Sequence, residues 1–305
     1  ANKGDGGYFN HLVSSLADRA ISKHEIVKRV DSFMARRFEG AALDIARLGI
    51  RTGGREHMLL SRLADARAHG KRVFALFPNV MWDNATTFKE WNRVFDSPVQ
   101  WLIETVDYFK QSQDKILVIR VHPAEYSWMP VRKSIRDVLC LHFGPEIFYS
   151  RNIILIDPEE PLSSYRLFEY LDGATVYNGT IGIELILHNV PLILGARAAY
   201  SDKGFTRDVD SRAAYFAGFD DTDKILAHQN ANLELAKIFA YEYFFTHGVP
   251  VRFLSATGQL TPNFDGDPHD MWNDPNLDHI ISVIEGRRRF FQDHWLEEQL
   301  VAQHE

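Results

Sequence analysis

Between residues 71 and 220, apolar runs of strand length alternate with segments of helical length. The stretches on either side show helical spacing without strands, and polar residues follow several of the apolar runs directly. Together these observations predict an α/β protein: a parallel sheet covered on both faces, a helical N-terminal arm and a helical C-terminal region that packs on the core. The expected divisions are 1–70, 71–220 and 221–305.

In the arm, Phe9, Leu12, Val13, Leu16 and Ala20 recur at helical spacing, as do Leu59, Leu60, Leu63 and Ala66 before Gly70. Gly4-Asp5-Gly6-Gly7 is glycine-rich but follows no strand, so it is a weak phosphate-loop signal. Val73–Phe77 is the first expected strand, ended by Pro78 and Asn79 and followed by a loop over 80–88. Pro98 opens a helix with Leu102, Val106 and Phe109 on one face. Ile116–Val121 is the second strand and runs into His122-Pro123-Ala124-Glu125. A helix over 130–142, a strand over Ile153–Ile156 and a helix over Ser163–Leu171, with Ser163 or Ser164 at its N-cap, come next.

Residues 172–195 then pack a strand (Ala174–Tyr177), a turn (Asn178-Gly179-Thr180), a helix (Ile181–His188) and a strand (Val190–Leu194) into a short span. Arg197–Phe219 reads as a polar, aromatic loop long enough to carry function, with Tyr200, Lys203 and Tyr215 in it. Helices are expected at 221–246 and from Leu277, on either side of a stretch punctuated by Pro250, Pro262, Pro268 and Pro275.

The composition, 45% hydrophobic and 25% charged over 305 residues, is that of a globular protein. A net charge of −7 with interspersed signs argues against a nucleic-acid partner. Cys140 is the only cysteine, which excludes an intrachain disulfide and a cysteine-rich metal site and fits a reducing, cytoplasmic setting. No apolar run approaches the roughly 20 residues of a membrane span. The chain opens on Ala1 rather than Met, which leaves room for a segment upstream.

Parallel sheets hold ligands outside the carboxyl ends of their strands. Three polar loops meet that condition: 79–83, 122–125 and 178–184. Gly179 lets backbone approach a ligand closely, and the nearby N–H groups with the Thr180 hydroxyl suit an oxyanion such as a phosphate. Glu184 lies one turn after Thr180 on the same helical face, placed either to accept from ribose hydroxyls or to be solvated. Pro123 restricts His122 to an extended conformation and so fixes how the imidazole leaves its strand. Arg120 points either to phosphate binding or to pairing with a carboxylate; Glu125 to orienting His122, binding acceptor hydroxyls or acting as an acid; Asp83 to catalysis or an Asx turn. Asp208-Val-Asp210, Asp221-Thr-Asp223 and Asp265-Gly-Asp267 have metal-binding DxD spacing, but none directly follows an apolar strand, so solvated turns are the better reading.

Five ordered blocks sharpen this. They are Asn79-Val80-x-Trp82-Asp83, Val118-Ile119-Arg120-Val121-His122-Pro123-Ala124-Glu125, Ser163-x-Tyr165-x-Leu167, Gly179-Thr180-Ile181-Gly182-Ile183-Glu184 and Tyr200-x-x-Lys203-Gly204-Phe205-Thr206. Over roughly residues 70 to 220 the chain resembles the capsule polysaccharide biosynthesis glycosyltransferases, a group that includes bacterial retaining Kdo transferases of GT-B type. The resemblance implies a Rossmann-like nucleotide-binding half and transfer of a sugar from a nucleotide-activated donor, with CMP-Kdo the leading candidate. It implies no metal and no cofactor. By position, His122 and Thr180 would contact the nucleotide phosphate, with Asn178, Gly179, Gly182 and Glu184 completing the nucleotide site.

Asp83 would be the catalytic nucleophile and Glu125 the second catalytic candidate, and Asn79, Arg120, Ser163, Tyr200 and Lys203 would contact substrate. The chemistry is consistent: glycosyl transfer needs a carboxylate near the anomeric carbon and donors near the departing phosphate. The expected partners are a nucleotide-sugar donor and a saccharide or glycolipid acceptor. Only one of the family's two Rossmann-like domains is legible, so an N-terminal domain or partner subunit is also expected, and peripheral inner-membrane association is open. The alternatives are a nucleotide-binding or assembly module without turnover, a GT-B-like sugar-nucleotide epimerase, or a polyol-phosphate transferase sharing the phosphate site.

Overall fold

A computed structural model describes residues 22–39, 54–80, 91–127, 134–160, 162–246, 269 and 273–287. Its contacts divide the chain into two units, one of residues 31–236 and one of residues 1–30 with 237–305.

The first unit is built on a parallel sheet of five strands: β1 (Arg72–Phe77), β2 (Lys115–Arg120), β3 (Ile153–Ile156), β4 (Gly173–Val176) and β5 (Leu192–Leu194), in the order β3-β2-β1-β4-β5. β1 pairs with β2 through Leu76↔Ile119 and with β4 through Phe77↔Val176, and all four pairings are parallel. This is the Rossmann-like α/β fold that the apolar runs predict. The strands read as continuous apolar segments because β1 from Val73 onward, and all of β2 and β4, are buried on both faces.

The helices alternate with the strands. α1 (Lys23–Phe38) and α2 (Gly54–Ala68) precede the sheet; α3 (Pro98–Gln111), α4 (Ala124–Ser127), α5 (Ile135–Phe143), α6 (Ser164–Phe168) and α7 (Ile181–Leu187) lie between strands. α8 (Arg212–Ala217), α9 (Thr222–Ala231) and α10 (Leu233–Tyr241) follow β5. Within 197–219, where the sequence predicts a loop, α8 is a short helix capped by the Ser211 hydroxyl. A 3₁₀ turn over Pro145–Tyr149, also unread, continues from Gly144 at φ 79°.

Alternation along β1 sorts the core into two layers. Phe74 and Leu76 join Trp101, Leu102, Val106, Phe109, Tyr215 and Phe219 in one cluster. Phe77 turns to the other face, 6.1 Å from the ring of Phe168, which also meets Phe38 and His188. Two side chains, half-buried Asp172 and buried Gln229, fix the strands. Asp172 Oδ2 accepts from Val73 N at 2.7 Å while its own N–H donates to Val73 O, locking the β1/β4 register at its start. Gln229 of α9 accepts from Leu192 N and donates to Val190 O, capping the outer edge of β5.

In the second unit, α11 (Pro275–Ile284) starts at Asp274, whose carboxylate accepts from Asn276 N and Leu277 N. Glu242–Thr246 forms a π-helical turn, and Phe245 within it stacks on Tyr241 at 5.2 Å. No described helix is long and apolar enough to cross a membrane. The expected arm helix around Phe9–Ala20 and the aromatic C-terminal segment of Phe290, Phe291 and Trp295 lie outside the described residues.

The Tyr215 hydroxyl, fully buried, accepts from Trp101 Nε1 at 2.7 Å and bonds the Thr105 and Thr175 hydroxyls at 2.9 Å. Burial pushes its ionisation far above the ordinary tyrosine value, so it stays a neutral hub. Tyr215→Phe strands these partners in the core and is expected to lower stability by about 1–3 kcal/mol in urea unfolding, with the circular dichroism unchanged. A loss near zero would show that the hub contributes nothing net.

Candidate functional site

The strand order locates the site. From β1 the chain builds outward through β2 and β3, then returns to the other side of β1 for β4 and β5, so the sheet reverses direction between β1 and β4. Loops leaving two adjacent carboxyl ends diverge at such a point and open a crevice. Because Phe77 pairs with Val176, the segments beginning at Pro78 and Tyr177 leave the sheet side by side.

Here Asn79 and Gly179 meet. A Cβ on Gly179 would stand 3.5 Å from Asn79 Oδ1, and that oxygen is buried with no hydrogen-bond partner among the described residues. Asn178 is half-buried and Thr180 is exposed, at φ −64° and ψ −24°, making no side-chain cap. The N–H groups of Gly182 and Ile183 are taken by the carbonyls of Gly179 and Thr180. Those of Gly179, Thr180 and Ile181 make no backbone hydrogen bond among the described residues. α7 is under two turns long, so the loop's local donors, rather than a macrodipole, are what it offers an anion.

His122 follows β2, the neighbour of β1 on the far side, and is exposed. Two inter-strand spacings put it roughly 10 Å from the Gly179 loop, a separation a nucleotide can bridge. Its Nδ1 accepts from Ala124 N at 3.1 Å, which places the proton of the neutral ring on Nε2.

Several candidate residues are engaged differently from the sequence reading. Glu184 is neither solvated nor open to a ribose: it is 4% exposed, Arg37 of α1 pairs with its Oε1 at 2.8 Å, and the Tyr165 hydroxyl donates to its Oε2 at 2.8 Å. Burial and then the Glu184 charge push the Tyr165 hydroxyl far up, so it remains a donor. Arg120, 2% exposed, donates to the carbonyls of Val121, Asp157, Glu160 and Leu162 and braces the loop after β3 instead of reaching a phosphate. Burial lowers its pKa to about 10, which still leaves it cationic at neutral pH. Tyr200 is buried and its hydroxyl donates to Gly179 O at 2.8 Å, so it touches the loop and not the crevice solvent. Gly182 is small for that reason: a Cβ there would overlap the same hydroxyl.

Glu125 caps α5 through Ile135 N at 2.8 Å, while its Oε2 has no partner among the described residues. Ser163 occupies the N-cap position of α6 without a side-chain cap bond. Lys203 is half-buried in the turn between Asp202 and Gly204, both at positive φ. Asp83 lies outside the described residues, as does Asp265-Gly-Asp267. Asp210 is solvated as expected, Asp208 is not, and with Asp202 they surround Arg93, at 2.5, 3.6 and 2.9 Å. Asp221 pairs with Lys224 at 2.6 Å. No group of three His, Cys, Asp or Glu side chains among the described residues could hold a metal.

Arg37 and Arg93 were unreadable from sequence, since their partners lie far along the chain. Tyr165 was visible only inside a resembling block.

The family model for capsule polysaccharide biosynthesis proteins matches residues 68–242, which contain the sheet and every loop described above. The chain belongs to the capsule polysaccharide biosynthesis family. Among solved structures, this family member is similar to KpsC of Thermosulfurimonas dismutans, a β-Kdo 2,7-transferase, at 15% identity and a TM-score of 0.40, covering 77% of this chain and 60% of that one. It is also similar to S. aureus MnaA with UDP, at 16% identity and TM-score 0.39 over 61% and 47% of the two chains. The wall teichoic acid polymerase TagF matches at 14% identity and TM-score 0.37, over 60% and 43%. The chain thus spans about 60% of the length of the first of these neighbours. No curated protein matches it.

Two outcomes follow from the buried charges. Arg37→Ala abandons the Glu184 carboxylate in the core and is expected to cost about 3–5 kcal/mol in chemical unfolding, whereas Arg37→Met with Glu184→Leu recovers most of that loss. Equal losses in the single and double variants would trace the effect to lost packing instead of unpaired charge. Burial also raises the pKa of Glu125, partly countered by the Ile135 N–H. The folded chain therefore holds this proton more tightly than the unfolded chain, where glutamate titrates near about 4.3. Stability from it is full below that value and is lost as pH rises through the higher native one. Glu125→Gln keeps the acceptor, removes the charge and is expected to flatten this fall; parallel stability-pH profiles for wild type and variant would reject it.

Proposed function

We propose that this chain is the nucleotide-binding half of a GT-B glycosyltransferase, moving a sugar from a nucleotide-activated donor to a saccharide or glycolipid acceptor in capsule or related surface-polysaccharide synthesis. The observation that carries the reading is the meeting of Asn79 with the Gly179 loop at the point where the sheet reverses, in a member of the capsule polysaccharide biosynthesis family. In this reading the loop N–H groups and the Thr180 hydroxyl receive the nucleotide phosphate, and His122 approaches it from the β2 side. Asn79 and Asn178 line the crevice between them, and Ser163 and Lys203 contact substrate. Asp83, by resemblance, attacks the anomeric carbon; the nucleotide phosphate departs, and water or acceptor hydroxyl later releases the sugar with retention. CMP-Kdo is the donor the resemblance favours, and no metal takes part. An upstream domain or partner subunit supplies the other wall of the crevice.

The test has a binding arm and a turnover arm. Among CMP, UDP, GDP and CDP, CMP is expected to raise the unfolding temperature most, by mass action on the folded state, and to do so in EDTA. Thr180→Val and His122→Ala should each weaken that binding by about 1–3 kcal/mol. With the partner domain supplied, Asp83→Asn should leave nucleotide affinity near wild type while turnover falls by several orders of magnitude. Stabilisation by none of the four nucleotides rejects the reading, and substantial turnover by the Asn variant removes Asp83 from catalysis.

A further inference from the structure

We infer that Tyr200 is a positioning residue that fixes which way the peptide between Gly179 and Thr180 faces; the inference rests on the nucleotide-phosphate reading of this loop. The Tyr200 ring is 1% exposed and its hydroxyl donates to Gly179 O at 2.8 Å. The same carbonyl accepts from Gly182 N at 3.1 Å. Two donors from the interior hold it inward.

In a planar trans peptide the carbonyl and the following N–H point in opposite directions. Holding Gly179 O toward the buried hydroxyl therefore aims Thr180 N–H away from the interior, where an anionic oxygen can accept it. The opposite orientation would present a carbonyl to the phosphate and repel it. A flip of this peptide turns ψ at 179 and φ at 180, and glycine at 179 leaves the first of these torsions unhindered by a Cβ. The loop that gains close approach to a ligand thus needs an external clamp.

Tyr200 is itself anchored. It sits in a turn after β5 in which Ser201 N donates to Ala198 O, Ala198 N donates to Ser201 Oγ, and Thr206 Oγ1 reaches Tyr200 O at 3.5 Å. Gly182 completes the fit, since a Cβ there would overlap the hydroxyl and lie 3.1 Å from Leu192 Cδ2. The ligand class is a phosphate oxygen of a nucleotide, held by a main-chain donor.

The test measures calorimetric Kd on the full chain with CMP, UDP, GDP and CDP, then uses the tightest binder. Tyr200→Phe, which keeps the ring, is expected to raise Kd about fivefold, and Gly182→Ala, which pushes the ring away, to act in the same direction. Tyr215→Phe removes another buried hydroxyl elsewhere in the core and is expected to leave Kd within about twofold despite its stability loss. Thr180→Pro deletes the N–H at a φ of −64° that proline accepts, and should bind about tenfold more weakly than Thr180→Ala. Adding Tyr200→Phe to Thr180→Pro should then cost nothing more. If wild type binds none of the four nucleotides, the phosphate reading falls and this inference with it. If wild type binds but Tyr200→Phe binds equally well, or weakens no more than Tyr215→Phe, the inference alone is overturned.

Discussion

Asp172 and Val73 exchange two hydrogen bonds, and much of the rest is set by them. The carboxylate takes Val73 N and the Asp172 amide gives to Val73 O, so β4 begins in one register against β1. A slip by one residue would turn every β4 side chain to the opposite face, and both faces are buried. That register brings Phe77 opposite Val176 and hence Asn79 beside Gly179. The candidate site is thus a consequence of strand pairing fixed at the other end of β1 and β4.

The loop so placed is braced from two directions. Tyr200 reaches Gly179 from the turn after β5, and Arg37 with Tyr165 holds Glu184 in the helix that follows. The Phe38 ring, next to Arg37, packs on Tyr165 at 5.1 Å and on His188 at 4.5 Å, so the end of α1 and the end of α7 share one aromatic patch. Burial lowers the His188 pKa, keeping the patch free of a second cation beside Arg37. Rigid donors that need no reorganisation when a ligand arrives are worth more than mobile ones, and this bracing supplies that rigidity.

The strands were legible because burial on both faces writes itself as an unbroken apolar run, and Val73–Phe77 or Ile153–Ile156 can hardly be anything else. Boundaries drifted where a polar or aromatic residue ends a strand: Tyr177 reads as strand but has already turned to bond Asn92 Oδ1. The loops at the carboxyl ends were legible for the same reason, since polar residues following such a run must lie at its end. The state of Glu184 was not. Spacing places it on the Thr180 face, but whether that face meets a ligand or a protein depends on Arg37, whose distance along the chain no local pattern encodes. Arg120 and Tyr200 share this property: their side chains brace backbone, and sequence cannot separate a charged or phenolic brace from a ligand contact.

The same bracing answers an electrostatic objection. A chain of net charge −7 should repel a nucleotide, yet exposed charges farther away than about 8 Å are largely screened at physiological salt, so only nearby ones decide. Close to the loops, the carboxylates are matched: Glu184 by Arg37, and Asp202, Asp208 and Asp210 by Arg93, with Arg197 also on Asp202. Their pairing cancels most of the local field, and hydrogen bonds from Arg93 and Arg197 hold the Asp202 pKa below the usual range against its burial, so this compensation persists into mild acid. Among the described residues, the Gly179 loop offers a short run of main-chain N–H groups and the Thr180 hydroxyl. Neutral donors of this kind attract an anion by direction rather than by net charge, which is why an acidic chain can still offer a phosphate a favourable seat.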